Sequence, residues 1–495
     1  MADSPSAASD RSLQGEFQPQ ATPRGHETEA FIAAHNGNVD VLDVTLAPPT
    51  PTPETKPRRQ TQTRFRSTAM ARPIRTSFIL AMPWAAYSVL NTVFEDIRIP
   101  YMRSMDMGEF LPRFLPALIA LFLGPILGAA SDRSLSKWGR RNLFLVSGAV
   151  MLTISGVLFS SAQTLFPEYK GLTNLLFVLL AIGLVLVNIS LRARLMDEVP
   201  IQYQVHAQAA LGFWAGVGAV VGNFLFRSTT VVVDATEISG KDFLISFSVA
   251  MASILATTGL CIWLRPEHPQ DRPPFHPPLD RLVKEVQDQI VYAPRLFRVL
   301  CLVYFVQFFA WNSFRDEVYT WWAKNVYHGC RSGPDVLEDC GTEEQKEYRD
   351  GLDTANRGLM CQDIYHRLKG VAVVGLAIGA FALIGAVAVG SAWIPATFVA
   401  FVAIAFYQIV VTIFPYSVVG IMGKEMQESA HGFNNNGLYI GVLTSFSAVS
   451  QLFVQIYGTE KMSPMGTGNV MTLPCILFAA GIVCTVLFTF TRSHT

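Results

Sequence analysis

Charge is scarce in this sequence. Asp, Glu, Lys and Arg make up 15% of 495 residues, the 38 basic and 38 acidic side chains cancel, and 51% of the chain is hydrophobic. A water-soluble chain of this length needs far more charge to cover its surface. No nucleic-acid partner is expected. Cysteine is scarce too, with seven in all; Cys261, Cys301, Cys475 and Cys484 lie in or beside apolar runs and read as packing residues. No His/Cys/Asp cluster has metal-ligand spacing, so neither a metal nor a cofactor is expected. A phosphate-cradling Gly-Lys-Ser/Thr sequence is missing, which leaves ATP-driven pumping without support. No covalent chemistry, and so no enzyme, is implied. No basic n-region with a short apolar stretch and cleavage site stands at Met1, so the first membrane helix is expected to direct insertion itself.

What the chain has in abundance is apolar runs close to 20 residues, the number that crosses a hydrocarbon core. They predict an all-α polytopic membrane protein with the lipid bilayer as its surroundings. Spans are expected at 77–97, 112–130, 142–162, 174–191, 207–226 and 243–264, then near 297–314, 371–391, 395–421, 436–457 and 471–491. A twelfth belongs between Tyr348 and Lys369, but LDTANRGLMCQDIYHRLK carries Asp353, Arg357, Asp363 and Arg367. Each ionisable group at the bilayer centre costs several kcal/mol. Either this eighth helix is truncated or it is a polar helix shielded by its neighbours.

Residues 1–70 are rich in Ser, Thr, Pro and Gln and read as a disordered cytoplasmic tail. A first six-helix bundle is expected over 71–264 and a cytoplasmic link over 265–295, in which LDRLVKEVQDQI reads as a surface helix. A second bundle follows over 296–495. Six helices, a long link and a second hydrophobic set suggest pseudo-related halves with function at their interface. The loop after the seventh span faces outside on this topology. There Cys330 and Cys340 read either as a local disulfide or as two free thiols.

The gap SDRSLSKWGRR, between the second and third spans, holds Asp132, Arg133, Lys137, Gly139, Arg140 and Arg141. Basic residues beside span ends anchor topology by the positive-inside bias. The acid and the glycine suggest a further role: Asp132 follows a small-residue helix end that lets helices approach closely. Its carboxylate is expected to accept hydrogen bonds from a neighbouring helix end or from Arg140, and Gly139 permits the tight reversal.

GPILGAASDRSLSKWGRRNLF resembles the corresponding loop of the major facilitator superfamily, specifically its sucrose-transporter-like branch, related to the glycoside-pentoside-hexuronide cation symporters. Pro100-Tyr101, Arg192-Ala193 with Asp197, and Glu317-Val318-Tyr319 extend the likeness over roughly residues 77–491. The resemblance implies a major facilitator fold of two six-helix bundles. It also implies gating contacts through Asp132, Arg133, Gly139, Arg140, Arg141 and Asp197, and a functional arginine at Arg192. The chain departs from the pattern at Ile189-Ser190-Leu191, where Gln-Gly-Pro is usual, and at Asn312, where plant members carry an aspartate.

A sugar site needs acids, amides or arginine at the ring edge and aromatic faces against its apolar side, and such buried polar groups are costly unless partnered. Tyr87, Asn91 and Glu95 share one helical face by their spacing of four. Arg192, Gln307, Trp311 and Asn312 complete the expected substrate lining, Trp311 as a stacking face. Because an amide such as Asn312 cannot carry a proton, Glu95, Asp96 or Asp316 is expected to titrate; alternatively Glu95 and Asp96 only pair with Arg98. Lys424, Glu425 and Glu428, in MGKEMQESAHGFNNNG, read as latches of the second half. The function expected is proton-coupled symport of sucrose or a related glucoside by alternating access. A facilitator or exporter of another small organic solute, or a transport-inactive sensor or regulatory isoform, are the alternatives. The plasma membrane is the expected location, with a vacuolar or other acidic-organelle membrane as the second.

Overall fold

The computed structural model describes residues 62–108, 110–134, 136–229, 240–267, 279–329, 341–363, 372–430, 435–457 and 470–492. Tail residues 1–61 and the Cys330–Cys340 pair lie outside the described residues, as do the side chains of Asp96 and Glu428. Among the described residues every regular element is a helix. In a bilayer no water hydrogen-bonds the backbone, so a chain this apolar satisfies its amides within helices.

The main helices are α1 (Gln62–Ala81), α2 (Pro83–Ser104), α3 (Phe110–Arg133), α4 (Arg140–Ser160), α5 (Lys170–Glu198), α6 (Gln204–Thr229), α7 (Gly240–Leu264) and α8 (Leu279–Val291). After them come α9 (Arg295–Thr320), α10 (Thr342–Asp363), α11 (Ala372–Val389), α12 (Ile394–Ala403), α13 (Ala405–Ala430), α14 (Asn436–Tyr457) and α15 (Thr472–Arg492). Helix α1 begins inside the segment expected as tail. Among the described residues nine helical stretches are long and apolar enough to cross a membrane, and Val374–Val389 and Thr472–Phe488 are shorter apolar helices. These fall where the hydropathy places its eleven spans. Helix α8 is the predicted surface helix: it buries Leu282 and Val286 and leaves Arg281, Lys284 and Asp288 exposed.

Among the described residues two large apolar cores form. One is built from Leu80 to Cys261, around Leu90, Phe94, Phe177 and Met251. The other centres on Leu300, Tyr304, Phe314, Phe401 and Tyr407, and it also takes in Ile119, Ile189 and Met196 from the first set of helices. The sets meet most closely along α3 and α14. A Cβ on Gly128 would stand 2.1 Å from the Gly437 carbonyl oxygen, and one on Gly441 would stand 2.3 Å from that of Gly124. Backbone therefore lies on backbone, the approach that only small residues allow, and Ser445 Oγ donates to the Leu121 carbonyl at 2.8 Å across the same seam.

Where the eighth span is in question, α10 is helical but polar. It packs against α6, α12 and a six-residue π-helical stretch, Trp321–Val326, with Tyr348 and Leu352 buried beside Ala323. Gly351 is seated against Ala323, and over its 22 residues the helix covers about 33 Å at 1.5 Å per residue. The hydrocarbon core is about 30 Å thick. The helix thus has the length of a span but a polar composition, and it is not among the helices apolar enough to cross a membrane.

Candidate functional site: an ionic latch and a central arginine

Two polar centres stand out. The first gathers at the end of α3. Asp132 is buried, and its carboxylate accepts the backbone N–H of Gly437 at 3.0 Å and of Leu438 at 2.8 Å. These are orphan amides of the first turn of α14, where a negative charge is favoured by the helix dipole. Asp132 also pairs with Arg141, whose side chain is fully buried. The cationic partner across the turn is therefore Arg141 and not Arg140, because Arg141 points back under the loop while Arg140 turns to α5.

Arg141 is shared. Its Nη1 donates to Ser131 Oγ at 2.6 Å and its Nε to Asp197 Oδ2 at 2.8 Å, and Arg140 reaches the same Asp197 oxygen at 2.6 Å. From the second set of helices, Asn436 Nδ2 donates to Asp197 Oδ1 at 3.0 Å and Lys424 Nζ to the Asp197 carbonyl at 2.7 Å. Asp132 and Asp197 are thus each held from both sets. Gly139 has φ +97°, in the region that favours glycine, and caps α4 without a side chain. Glu267, after α7, takes over that task by accepting the Arg141 and Asn142 amides, each at 2.9 Å to Oε2. Of the other expected gating residues, Arg133 is half-buried and Glu425 exposed. Beside the latch an open basin of about 860 Å³ is bordered by Arg72, Arg140, Glu198, Tyr203, Arg265 and Glu267.

The second centre is Arg192, 5% exposed on α5. Its Cζ lies 4.5 Å from the centroid of the Trp84 ring on α2 and 3.7 Å from that of Tyr416 on α13. Such contacts contribute most where the cation is desolvated. Nη1 donates to Gln208 Oε1 on α6 at 3.3 Å, whereas Arg192 Nε and Gln208 Nε2 are buried donors without a partner. The Tyr416 hydroxyl lies 2.9 Å from that of Tyr304 on α9. Tyr87 stands next to Trp84, ring centroids 4.8 Å apart, and accepts a hydrogen bond from Asn188 at 3.3 Å. Arg194, two residues on, turns the other way to Glu198 at 3.0 Å. One arginine therefore faces the centre and the other the helix end.

The remaining expected lining residues do not gather at Arg192. Gln307 is buried between α9 and α15, donating to Thr485 at 2.8 Å. Asn312 donates to Ser450 at 3.0 Å, and Trp311 packs on Phe314. Asn91 is half-buried and Asp316 exposed. Glu95 forms a two-armed ion pair with Arg98, at 2.9 and 3.0 Å, which is the alternative pairing foreseen for it. Trp84, Tyr304, Tyr416, Asn436 and Glu267 escaped the sequence reading. Trp84 lies one turn before Tyr87 on the same face, a signal that was available; Glu267 sits in a proline-rich link and gives none.

No protein-family model matches the chain. Solute carrier family 45 member 4 from Mus musculus and from Homo sapiens are each 30% identical to it over 122 residues, 23% of this chain. The match spans 16% of the length of these curated relatives. Among solved structures, the E. coli fucose:proton symporter is similar with a TM-score of 0.54 at 12% identity, over 84% of this chain and 98% of that one. A structure of the same transporter in the outward conformation gives 0.56 at 12% identity, over 83% and 99%. The proton:xylose symporter bound to 6-bromo-6-deoxy-D-glucose gives 0.51 at 14% identity, over 86% and 96%. The chain has the major facilitator fold. At such identities the likeness speaks for the fold alone, and the proteins sharing it here are transporters rather than enzymes. The α3–α14 seam and the Arg192–Tyr416 contact each join helices of the first set to helices of the second.

Proposed function

We propose that the chain is a secondary active transporter that moves sucrose or a related glucoside together with protons by alternating access. Its two bundles, 71–264 and 296–495, rock about the central site across the 265–295 link. The observation that carries this reading is Arg192: a buried guanidinium stacked on aromatic rings, with its Nε and the neighbouring Gln208 amide lacking acceptors. Buried donors without partners cost about 1–3 kcal/mol each, and solute hydroxyl oxygens relieve that cost. Aromatic faces beside them suit the apolar side of a sugar ring. The Asp132–Arg141–Asp197 latch closes one end of the path, so that solute reaches Arg192 from the other.

Glu95, Asp96 and Asp316 are the proton-coupling candidates. The plasma membrane is the proposed location. The test is uptake of labelled sucrose into proteoliposomes holding the purified chain. Accumulation driven by an inward proton gradient supports symport, and pH-independent exchange supports a facilitator. A second reading, a transport-inactive sensor or regulatory form, is favoured by the polar α10; it predicts solute binding without flux.

A further inference from the structure

Arg192 lies over two aromatic rings, and the two differ in origin. Trp84, Arg192 and Gln208 come from α2, α5 and α6, whereas Tyr416 comes from α13. One ring therefore moves with the guanidinium and the other with the opposite set of helices. The Tyr416 ring is the nearer, at 3.7 Å.

Tyr416 is 4% exposed and Tyr304 1%. Their hydroxyls face each other at 2.9 Å. Each hydroxyl brings one donor and two acceptor sites, and a single shared bond leaves one O–H hydrogen unused. Two phenylalanines would fill the same volume without burying that capacity. The hydroxyl pair therefore does more than pack: it fixes the Tyr416 ring over Arg192.

We propose that Tyr416 is the lid of the solute site, its ring lying on the Arg192 face where the solute stacks, and that Tyr304 is the catch that holds it. The solute enters by displacing the ring. The Arg192 Nε and Gln208 Nε2 then donate toward its oxygens. Opening the lid separates Tyr416 from Arg192 and so breaks a contact between the two sets of helices, which links solute entry to their rearrangement. This inference rests on Arg192 being the solute anchor.

The lid is tested on the purified full-length chain by measuring the Kd for sucrose with Tyr304→Phe and with Tyr416→Phe. The two substitutions cut the same hydrogen bond from opposite sides and keep both rings. Each is expected to lower the Kd about threefold to tenfold, the factor that one neutral hydrogen bond is worth. Weaker binding in either variant makes Tyr416 a solute contact and overturns the lid, as does an unchanged Kd in both. A readout without solute keeps the lid separate from the sugar reading: Gln208→Cys is labelled with a maleimide, and the labelled peptide is quantified by mass spectrometry. Adding Tyr304→Phe is expected to speed labelling at least threefold, and an unchanged rate overturns the lid. If the unaltered protein binds neither sucrose nor other glucosides, the sugar reading fails, and the labelling rate alone decides on the lid.

Discussion

Arg141 Nε donates to Asp197 at 2.8 Å, joining the start of α4 to the end of α5. The same guanidinium serves Asp132, and both acids bind groups of α13 or α14. A buried arginine is thus compensated by two carboxylates, with their remaining oxygen sites taken by amides. That arrangement offsets the desolvation that makes an incomplete buried pair costly.

Removing one member exposes that cost. Asp132→Ala leaves Arg141 with less charge compensation and two α14 amides without an acceptor, and is expected to destabilise the closed end by about 3–5 kcal/mol. Thiol labelling of a cysteine placed at Ser131 should rise at least tenfold. Unchanged labelling would show that the latch does not hold this end shut.

The α3–α14 seam predicts a contrast between glycines. Gly128→Ala drives a methyl into the Gly437 carbonyl, while a methyl on Gly259 meets nothing within 4 Å. Thermal unfolding in detergent should fall clearly for Gly128→Ala and stay close to the parent for Gly259→Ala. Equal midpoints for the two variants contradict the close backbone approach.

Glu267 caps α4 from a distant part of the chain. Glu267→Ala frees the Arg141 and Asn142 amides and is expected to cost about 1–2 kcal/mol, the usual range for a lost cap, read from the denaturation midpoint of the purified protein. Gln in its place keeps a carbonyl acceptor and should recover part of the loss.

At the central site, Arg192→Lys keeps the charge but loses the planar face and the fork of donors. Sucrose uptake is expected to drop by about one to two orders of magnitude, the result of losing a charge-assisted contact of about 1.5–3 kcal/mol. Arg194→Lys, which alters the helix-end arginine instead, should lower it far less. Comparable losses from both substitutions would remove the distinction between an inward and an end-facing arginine.

Glu95→Gln tests coupling. The amide still accepts from Arg98 but carries no proton, so gradient-driven accumulation should disappear while sucrose exchange at equal pH persists. Retained accumulation moves the titrating role to Asp96 or Asp316.

The membrane class, the eleven apolar helices and the surface helix α8 were legible in the sequence, because hydrocarbon thickness and helical rise together demand apolar runs of a set length. The latch was half legible. Asp132, Gly139, Arg141 and Asp197 lie in motifs with a charge pattern of their own, yet the choice of Arg141 over Arg140 depends on which side chain the α3–α14 seam leaves room for. Glu267 and Asn436 were beyond reach, since they join the cluster only after links of more than a hundred residues have folded back.

The central site shows the same boundary. Arg192 is conspicuous by itself, as an ionisable residue at the end of a long apolar run. Of its rings, Trp84 shares the face of Tyr87 one turn away, whereas Tyr416 is a common residue in a membrane chain and nothing in its local spacing sets it apart from packing. Gln307 and Asn312 carry the polarity a site requires, but helix rotation turns them to Thr485 and Ser450. The one-dimensional pattern determined which segments enter the bilayer, since transfer free energy sums along each segment. Only the packing of helices from both sets decided which polar groups share a centre, because helix rotation and close backbone approach depend on the neighbours.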